Sequence, residues 1–191
     1  MKTKLFLLAV ALCATTAIFA DTPYVWRDGI GYWIYDDGTA KVAPCRYVSY
    51  NKYYYDGSQY SIITANIPDS ITWKDGTISR VVGIEEDAFK NCTTLTSVTI
   101  PKSIESIGSA AFSGCKNLKT VVFNAKRCAV VAAFPFYVES FTFGDEVEVI
   151  NWYMFYNLKN ITSISIPKSV KEITNSSSTN YRYITDFYYQ G

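Results

Sequence analysis

The chain has 191 residues, 49% of them hydrophobic and 18% charged, with 18 basic against 17 acidic side chains; this is globular composition, neither disordered nor fibrous. It contains no histidine, which removes Ser/His/Asp and Cys/His nucleophilic constellations, histidine metal ligands and a histidine pH switch. A net charge of +1 gives no broad electrostatic footprint for a nucleic-acid backbone or an anionic membrane, so composition favours a binding or structural role over catalysis.

In chain order, residues 1–20 read as a secretory signal peptide. Lys2 and Lys4 form a basic start, Leu5 to Leu12 an apolar stretch too short to span a bilayer, and Ile18-Phe19-Ala20 places a small residue before a cut at Asp21. Lipoprotein processing at Cys13 is not expected, because Leu12 stands where a small residue is usual. Loss of Lys2 and Lys4 changes the net charge from +1 to −1. No later segment offers about 18 uninterrupted apolar residues, so no transmembrane anchor is expected in the mature chain. The expected location is secreted, periplasmic or non-covalently surface-associated.

Residues 21–64 hold more than half of the tyrosines together with Trp26 and Trp33. Gly31 to Val42 predicts two strands across an Asp37-Gly38 turn, and the region reads as an aromatic-rich β cap.

A repeat follows. Ala88-Phe89-Lys90-Asn91-Cys92 with Leu95, Val98 and Ile100 matches Ala111-Phe112-Ser113-Gly114-Cys115 with Leu118, Val121 and Phe123, each residue at the same step along the chain. The frame returns at Phe155, Ile161, Ile164 and Ile166, again at one constant step after Phe112, Leu118, Val121 and Phe123. A degenerate copy lies between. There Val138, Phe141 and Phe143 follow Leu118, Val121 and Phe123 at a slightly shorter step, and Phe134-Pro135-Phe136 replaces the Ala-Phe-x-x-Cys stretch. Ile67-Pro68-Asp69-Ser70-Ile71, Ile100-Pro101-Lys102-Ser103-Ile104 and Ile166-Pro167-Lys168-Ser169-Val170 share one pattern. A period in the low twenties with fixed apolar positions marks a leucine-rich-repeat solenoid, whose coils bury their apolar side by stacking.

The combination I-P-x-S-[IV] and A-F-x-x-C-x-x-L-x-x-V-x-I-P resembles the BspA-like leucine-rich repeats of bacterial surface proteins, also found in some protozoan parasites, over about residues 65–173. The expected fold class is therefore a β-rich α/β repeat solenoid. It comprises about four coils, one degenerate, with a parallel sheet, short helical turns on the opposite side and an N-terminal β-hairpin cap. The resemblance implies an exported, non-catalytic recognition or adhesion module that binds an extracellular protein. A structural or carbohydrate-binding accessory role through the Tyr-rich cap is the alternative, with a glycan as partner.

Strand periodicity places the residues. Val98, Val121, Phe141 and Ile164, then Ile100, Phe123, Phe143 and Ile166, point inward. Ser97, Thr120, Ser140 and Ser163 form one outward column and Thr99, Val122, Thr142 and Ser165 the next, and together these are the candidate partner-binding face. The alternative patch is Tyr50, Tyr53, Tyr54 and Tyr55. Phe89, Cys92, Leu95, Phe112, Cys115, Leu118 and Phe155 are structural repeat positions. Gly108 and Asn151 share a frame position that predicts a left-handed bend.

Cys92 and Cys115 have two readings, a disulfide or redox pair across adjacent coils, or small buried thiols packed at a repeat position. The repeat explains their spacing and favours packing. A bridge between Cys45 and Cys128 is a further possibility. With no C-x-x-C pair, zinc is disfavoured, and no cofactor is expected. Asp36-Asp37, Glu85-Glu86-Asp87 and Asp145-Glu146 read as solvated turns and not as a carboxylate pair across a scissile bond or a calcium loop. After Ile173 the repeat stops. Asn175 to Asn180 is a polar loop, and Tyr181 to Tyr189 reads as part of a tail, residues 174–191, whose aromatic segment lies as a final strand over the last coil.

Overall fold

The computed structural model describes residues 24–49, 52–73, 75–130, 134–174 and 183–191. The leader reading, Tyr50 and the loop Asn175 to Asn180 fall outside them. β1 (Tyr24–Arg27) pairs antiparallel with β2 (Ile30–Ile34), and β2 with β3 (Thr39–Ala43). The β2–β3 turn closes because Gly38 takes φ +81° and the Asp37 carboxylate accepts hydrogen bonds from the Thr39 amide and hydroxyl at 2.9 and 2.7 Å. β4 (Arg46–Ser49) and β5 (Lys52–Tyr55) form a second hairpin.

From there the chain alternates between two walls. The front wall receives β6 (Thr64–Asn66), and the back wall β7 (Ser70–Thr72) and β8 (Ile78–Ile84). The next coils add β9 (Ser97–Ile100) in front and β10 (Ser106–Ile107) behind, then β11 (Thr120–Phe123) and β12 (Ala129–Val130). β13 (Ser140–Phe143) and β14 (Val149–Asn151), β15 (Ser163–Ile166) and β16 (Glu172–Thr174), and finally β17 (Asp186–Tyr189) complete the array. In front, β6, β9, β11 and β13 form one parallel sheet and β15 pairs parallel with β17. Behind, β3 joins β8 in parallel, so the N-terminal strands continue the wall into β10 and β12, while β14 pairs with β16. No helix of the described residues is long and apolar enough to cross a membrane.

The front wall therefore runs from β6 to β17 among the described residues, and the array outruns the expectation that the repeat stops after Ile173. β17 stands in register with β15, Ser163 opposite Asp186, at the spacing that also relates Phe89 to Phe112. The sequence reading recognised this segment as a strand but not as a coil, because the residues in register with Ile164 and Ile166 are Phe187 and Tyr189, both exposed, and no I-P-x-S follows.

Inside, β9 and β11 bury alternate residues, Val98, Ile100, Val121 and Phe123. On the return side, hydrogen-bonded turns take the place of the helical turns expected from the sequence. A 3-10 helix forms at Trp152–Phe155. Its first turn is capped by Asn151, which sits at φ −83° and accepts from the Tyr153 amide at 3.0 Å. Asn151 is therefore not left-handed, and Gly108 is not among the positive-φ glycines, which corrects the expected bend. A Cβ at Gly108 would lie 2.5 Å from the Glu86 amide, so glycine is needed for close approach between coils. The left-handed positions are Asp87 and Ala110, and Asn91 and Gly114, each pair related by one repeat.

The return turns build an aromatic column. Tyr60, Phe89, Phe112 and Phe134 follow one another with ring centroids 5.0, 5.2 and 5.3 Å apart, close to the spacing of about 4.8 Å between strands of a sheet. Phe134 supplies the phenylalanine missing from the degenerate repeat. Trp26 stacks on Tyr60 at 5.5 Å, carrying the column into the N-terminal strands. The Tyr60 hydroxyl donates to the Ala43 carbonyl at 2.6 Å and accepts from the Gly31 amide at 2.8 Å.

The cysteine position follows the same logic. The Cys92 thiol lies 3.6 Å from the Tyr60 carbonyl and the Cys115 thiol 3.0 Å from that of Phe89, each one coil back. None of the four described cysteines is in a disulfide, so neither a Cys92–Cys115 nor a Cys45–Cys128 bridge forms. β3, which ends shortly before Cys45, and β12, which starts just after Cys128, are three rungs apart. That separation is about 14 Å at the usual strand spacing, beyond disulfide reach. Burial pushes the Cys115 and Cys128 thiols up to about 12, which leaves them protonated and unreactive at neutral pH.

Candidate functional site

The outward columns of the front wall have the register read from the sequence as far as β13. Thr64, Ser97, Thr120 and Ser140 stand opposite one another, and Asn66, Thr99, Val122 and Thr142 form the next outward column. Ser97, Thr99, Thr120 and Val122 are half-buried among their neighbours, while Ser140, Thr142, Ser163 and Ser165 are exposed. The Ser97 and Thr64 hydroxyls bond at 3.1 Å. Thr142 Oγ1 donates to the Val121 carbonyl at 3.5 Å. Lys119 and Glu139, just before their strands, form an ion pair.

Ser163 and Ser165 do not continue that ladder. The amides of Thr120, Ser140 and Asp186 each bond the preceding coil, at 3.2, 2.9 and 3.2 Å, but no backbone bond joins β13 to β15 among the described residues. Inside, β13 carries phenylalanine at both inward positions, and Phe141 and Phe143 meet Phe155 edge-on with centroids 5.3 and 6.1 Å apart. Between β13 and β15 the rung is missing.

The result is a slit of about 380 Å³ between the two strands, edged by Ser140, Thr142, Ser163 and Ser165 and flanked by Glu139, Asn160 and Gln190. Half of the sequence-derived positions meet there, and the other half, Ser97, Thr99, Thr120 and Val122, lie on the closed sheet. The slit reaches the core: Phe141 is 7% exposed where Phe123, inward on the neighbouring strand, is 0%. At one end the Asn160 side-chain amide donates to the Phe136 carbonyl at 3.1 Å.

The alternative tyrosine patch is described only through its backbone. β5 places Tyr53, Tyr54 and Tyr55 opposite Val48, Tyr47 and Arg46, and Tyr50 lies outside the described residues. Other tyrosines of this region are structural ties: Tyr32 is buried, and Tyr35 donates to Glu85 at 2.7 Å.

Each acidic cluster also has local partners. Glu85 pairs with Lys41 at 3.1 Å, Asp87 with Lys90 at 2.9 Å and Glu146 with Lys102 at 3.7 Å. On the ridge beside the back wall, Glu148 is ringed by Lys126, Arg127 and Lys171 at 3.2, 2.9 and 3.2 Å. Hydrogen bonds from Lys171, Arg127 and Lys126 hold its carboxyl down to about 2. Among the described residues no three metal-ligating side chains converge.

Sequence reasoning missed Thr64, Asn66, Asp186 and Tyr188 as outward positions, and it missed the slit. The regular step from Ser163 to Asp186 was an available signal; the first coil was read from Ile67-Pro68-Asp69-Ser70-Ile71, but the longer stretch between Thr64 and Ser97 hid the match of its strand to the others.

Comparison with known proteins places this geometry. The family described as BspA type Leucine rich repeat region matches residues 51–185 in six copies. A leucine-rich repeat protein from Bacteroides capillosus is 26% identical, with a TM-score of 0.52 over 88% of this chain and 99% of that one. A leucine-rich repeat protein of T. pallidum shares 18% identity, with a TM-score of 0.57 over 88% of this chain and 84% of that one, and so supports the fold alone. A search of curated proteins finds no match. The chain belongs to the BspA-type leucine-rich-repeat family.

Proposed function

We propose that the protein is a non-catalytic, exported recognition and adhesion module that binds an extracellular protein through the front wall. The observation that carries this reading is the aligned outward face of Thr64, Ser97, Thr120 and Ser140 beside Asn66, Thr99, Val122 and Thr142. It is an uncharged face of paired donors and acceptors, held flat by a ladder whose inward side is the core. The leader-like residues 1–20 and the absence of histidine from the chain support export and a role other than catalysis.

The test uses the chain from Asp21, immobilised and exposed to solubilised extracellular-matrix proteins. Thr120→Lys, Ser140→Lys and Thr142→Lys together are expected to abolish capture while the melting transition stays cooperative. Wild-type capture is expected to vary little with salt, since no charged patch drives it. Full capture by the folded triple variant would move the site off the front wall.

A further inference from the structure

We propose that the slit between β13 and β15 binds a neutral sugar, so that the partner recognised by the front wall is glycosylated; this deepens the front-wall reading and rests on it. At about 380 Å³ the slit falls at the small end of ligand pockets, suited to a saccharide unit.

Its chemistry is that of a polyol site. Hydroxyls from Ser140, Thr142, Ser163 and Ser165 edge it, and each both donates and accepts. Where the neighbouring rungs join Thr120 to Thr96 and Ser140 to Lys119 through backbone hydrogen bonds, no such bond joins Ser163 to β13. The facing strand edges therefore offer main-chain donors and acceptors to an occupant, and leaving such groups without one is costly. A pyranose carries hydroxyls that serve as both donor and acceptor around its rim. It also has a face of C–H groups that matches the aromatic surface Phe141 and Phe143 present at the slit floor.

Charge and access exclude the competing occupants. Glu139 is the one charged residue lining the slit, and it is ion-paired to Lys119, so nothing there selects a phosphate, a sulfate or a cationic group. An extended peptide inserted as an extra rung needs about 4.8 Å on each side and an open path at both ends. Here Asn160, which lines the slit, bridges to the Phe136 carbonyl of the preceding coil across one end. A compact ligand entering from the front face does not meet that obstacle.

The experiment is saturation-transfer NMR and calorimetry on the chain from Asp21, with the methyl glycosides of glucose, galactose, mannose and N-acetylglucosamine as probes. At least one is expected to bind. Ser163→Phe fills the slit from its exposed rim and is expected to weaken that binding by about tenfold or more. Ser113→Phe, at an exposed position on the return side, is expected to leave it unchanged, and both variants should melt as the parent does. Binding of none of the four glycosides overturns the proposal. So does equal binding by a folded Ser163→Phe variant, or binding by an extended Val-Thr tetrapeptide in place of the sugars. Matrix capture that persists without sugar binding leaves the front wall as the recognition surface and removes only the sugar; loss of both removes both.

Discussion

Phe112→Ala probes whether the return side is one continuous aromatic column. Phe112 is 0% exposed and lies between Phe89 at 5.2 Å and Phe134 at 5.3 Å. Truncating a buried phenylalanine costs about 3–5 kcal/mol through lost transfer energy and the residual cavity. The two stacked contacts push the value towards the upper end, since an aromatic pair contributes about 0.5–1.5 kcal/mol beyond its area. Against a domain stability of about 5–15 kcal/mol, this one change removes roughly a third or more. Urea unfolding followed by circular dichroism should show a lower midpoint with an unchanged slope, because coils stabilise one another and open together. The internal control is Phe136→Ala, from the same degenerate repeat as Phe134 but 45% exposed, where a loss within about 0.5 kcal/mol is expected. A Phe112→Ala loss under about 1 kcal/mol, or one equal to that of Phe136→Ala, would refute the column.

Three further outcomes follow from named contacts. Cys92 and Cys115 should be inert to a thiol reagent in the native chain and fully titratable in denaturant without reductant; their absence from the second titration would mean a disulfide. Glu148→Gln should lower the melting temperature at pH 7. The parent's advantage is complete above the ordinary carboxylate value of 4.5 and fades as pH falls through about 2, because a carboxyl held low stabilises the fold only while ionised; a pH-independent difference would assign the effect to packing. Gly108→Val should destabilise the fold by about 1–3 kcal/mol through overpacking, since even a Cβ there would lie 2.5 Å from the Glu86 amide; a neutral substitution would show that the coils can separate.

Much of this architecture was legible because a stacked coil repeats its demands at fixed spacing. The recurrence of Phe89 at Phe112 and of Val98 at Val121 implied that these residues lie above one another, and they do. Ser140 and Thr142 could be placed across a shortened repeat because Phe141 and Phe143 kept the alternation. What the repeat does not encode was missed. The helical turns expected on the return side are, after β8 and β10, tight turns with left-handed residues at Asp87, Asn91, Ala110 and Gly114, while after β14 a short 3-10 helix does form. Asn91 and Gly114 signal that conformation weakly, whereas Ala110 does not signal it at all. Gly108 looked like a bend and is a contact between coils. The slit was invisible for a different reason: it is a missing rung between β13 and β15, and the alternation of Phe141, Phe143, Ile164 and Ile166 reads the same whether or not the two strands pair.

The recognition surface itself is tested most directly by hydrogen exchange on the wild-type chain bound to whichever matrix protein the immobilised form captures. Slowed exchange confined to β9, β11, β13 and β15 is the predicted footprint. Slowed exchange confined to the β4–β5 hairpin or to the back wall, with the front strands unchanged, would contradict it.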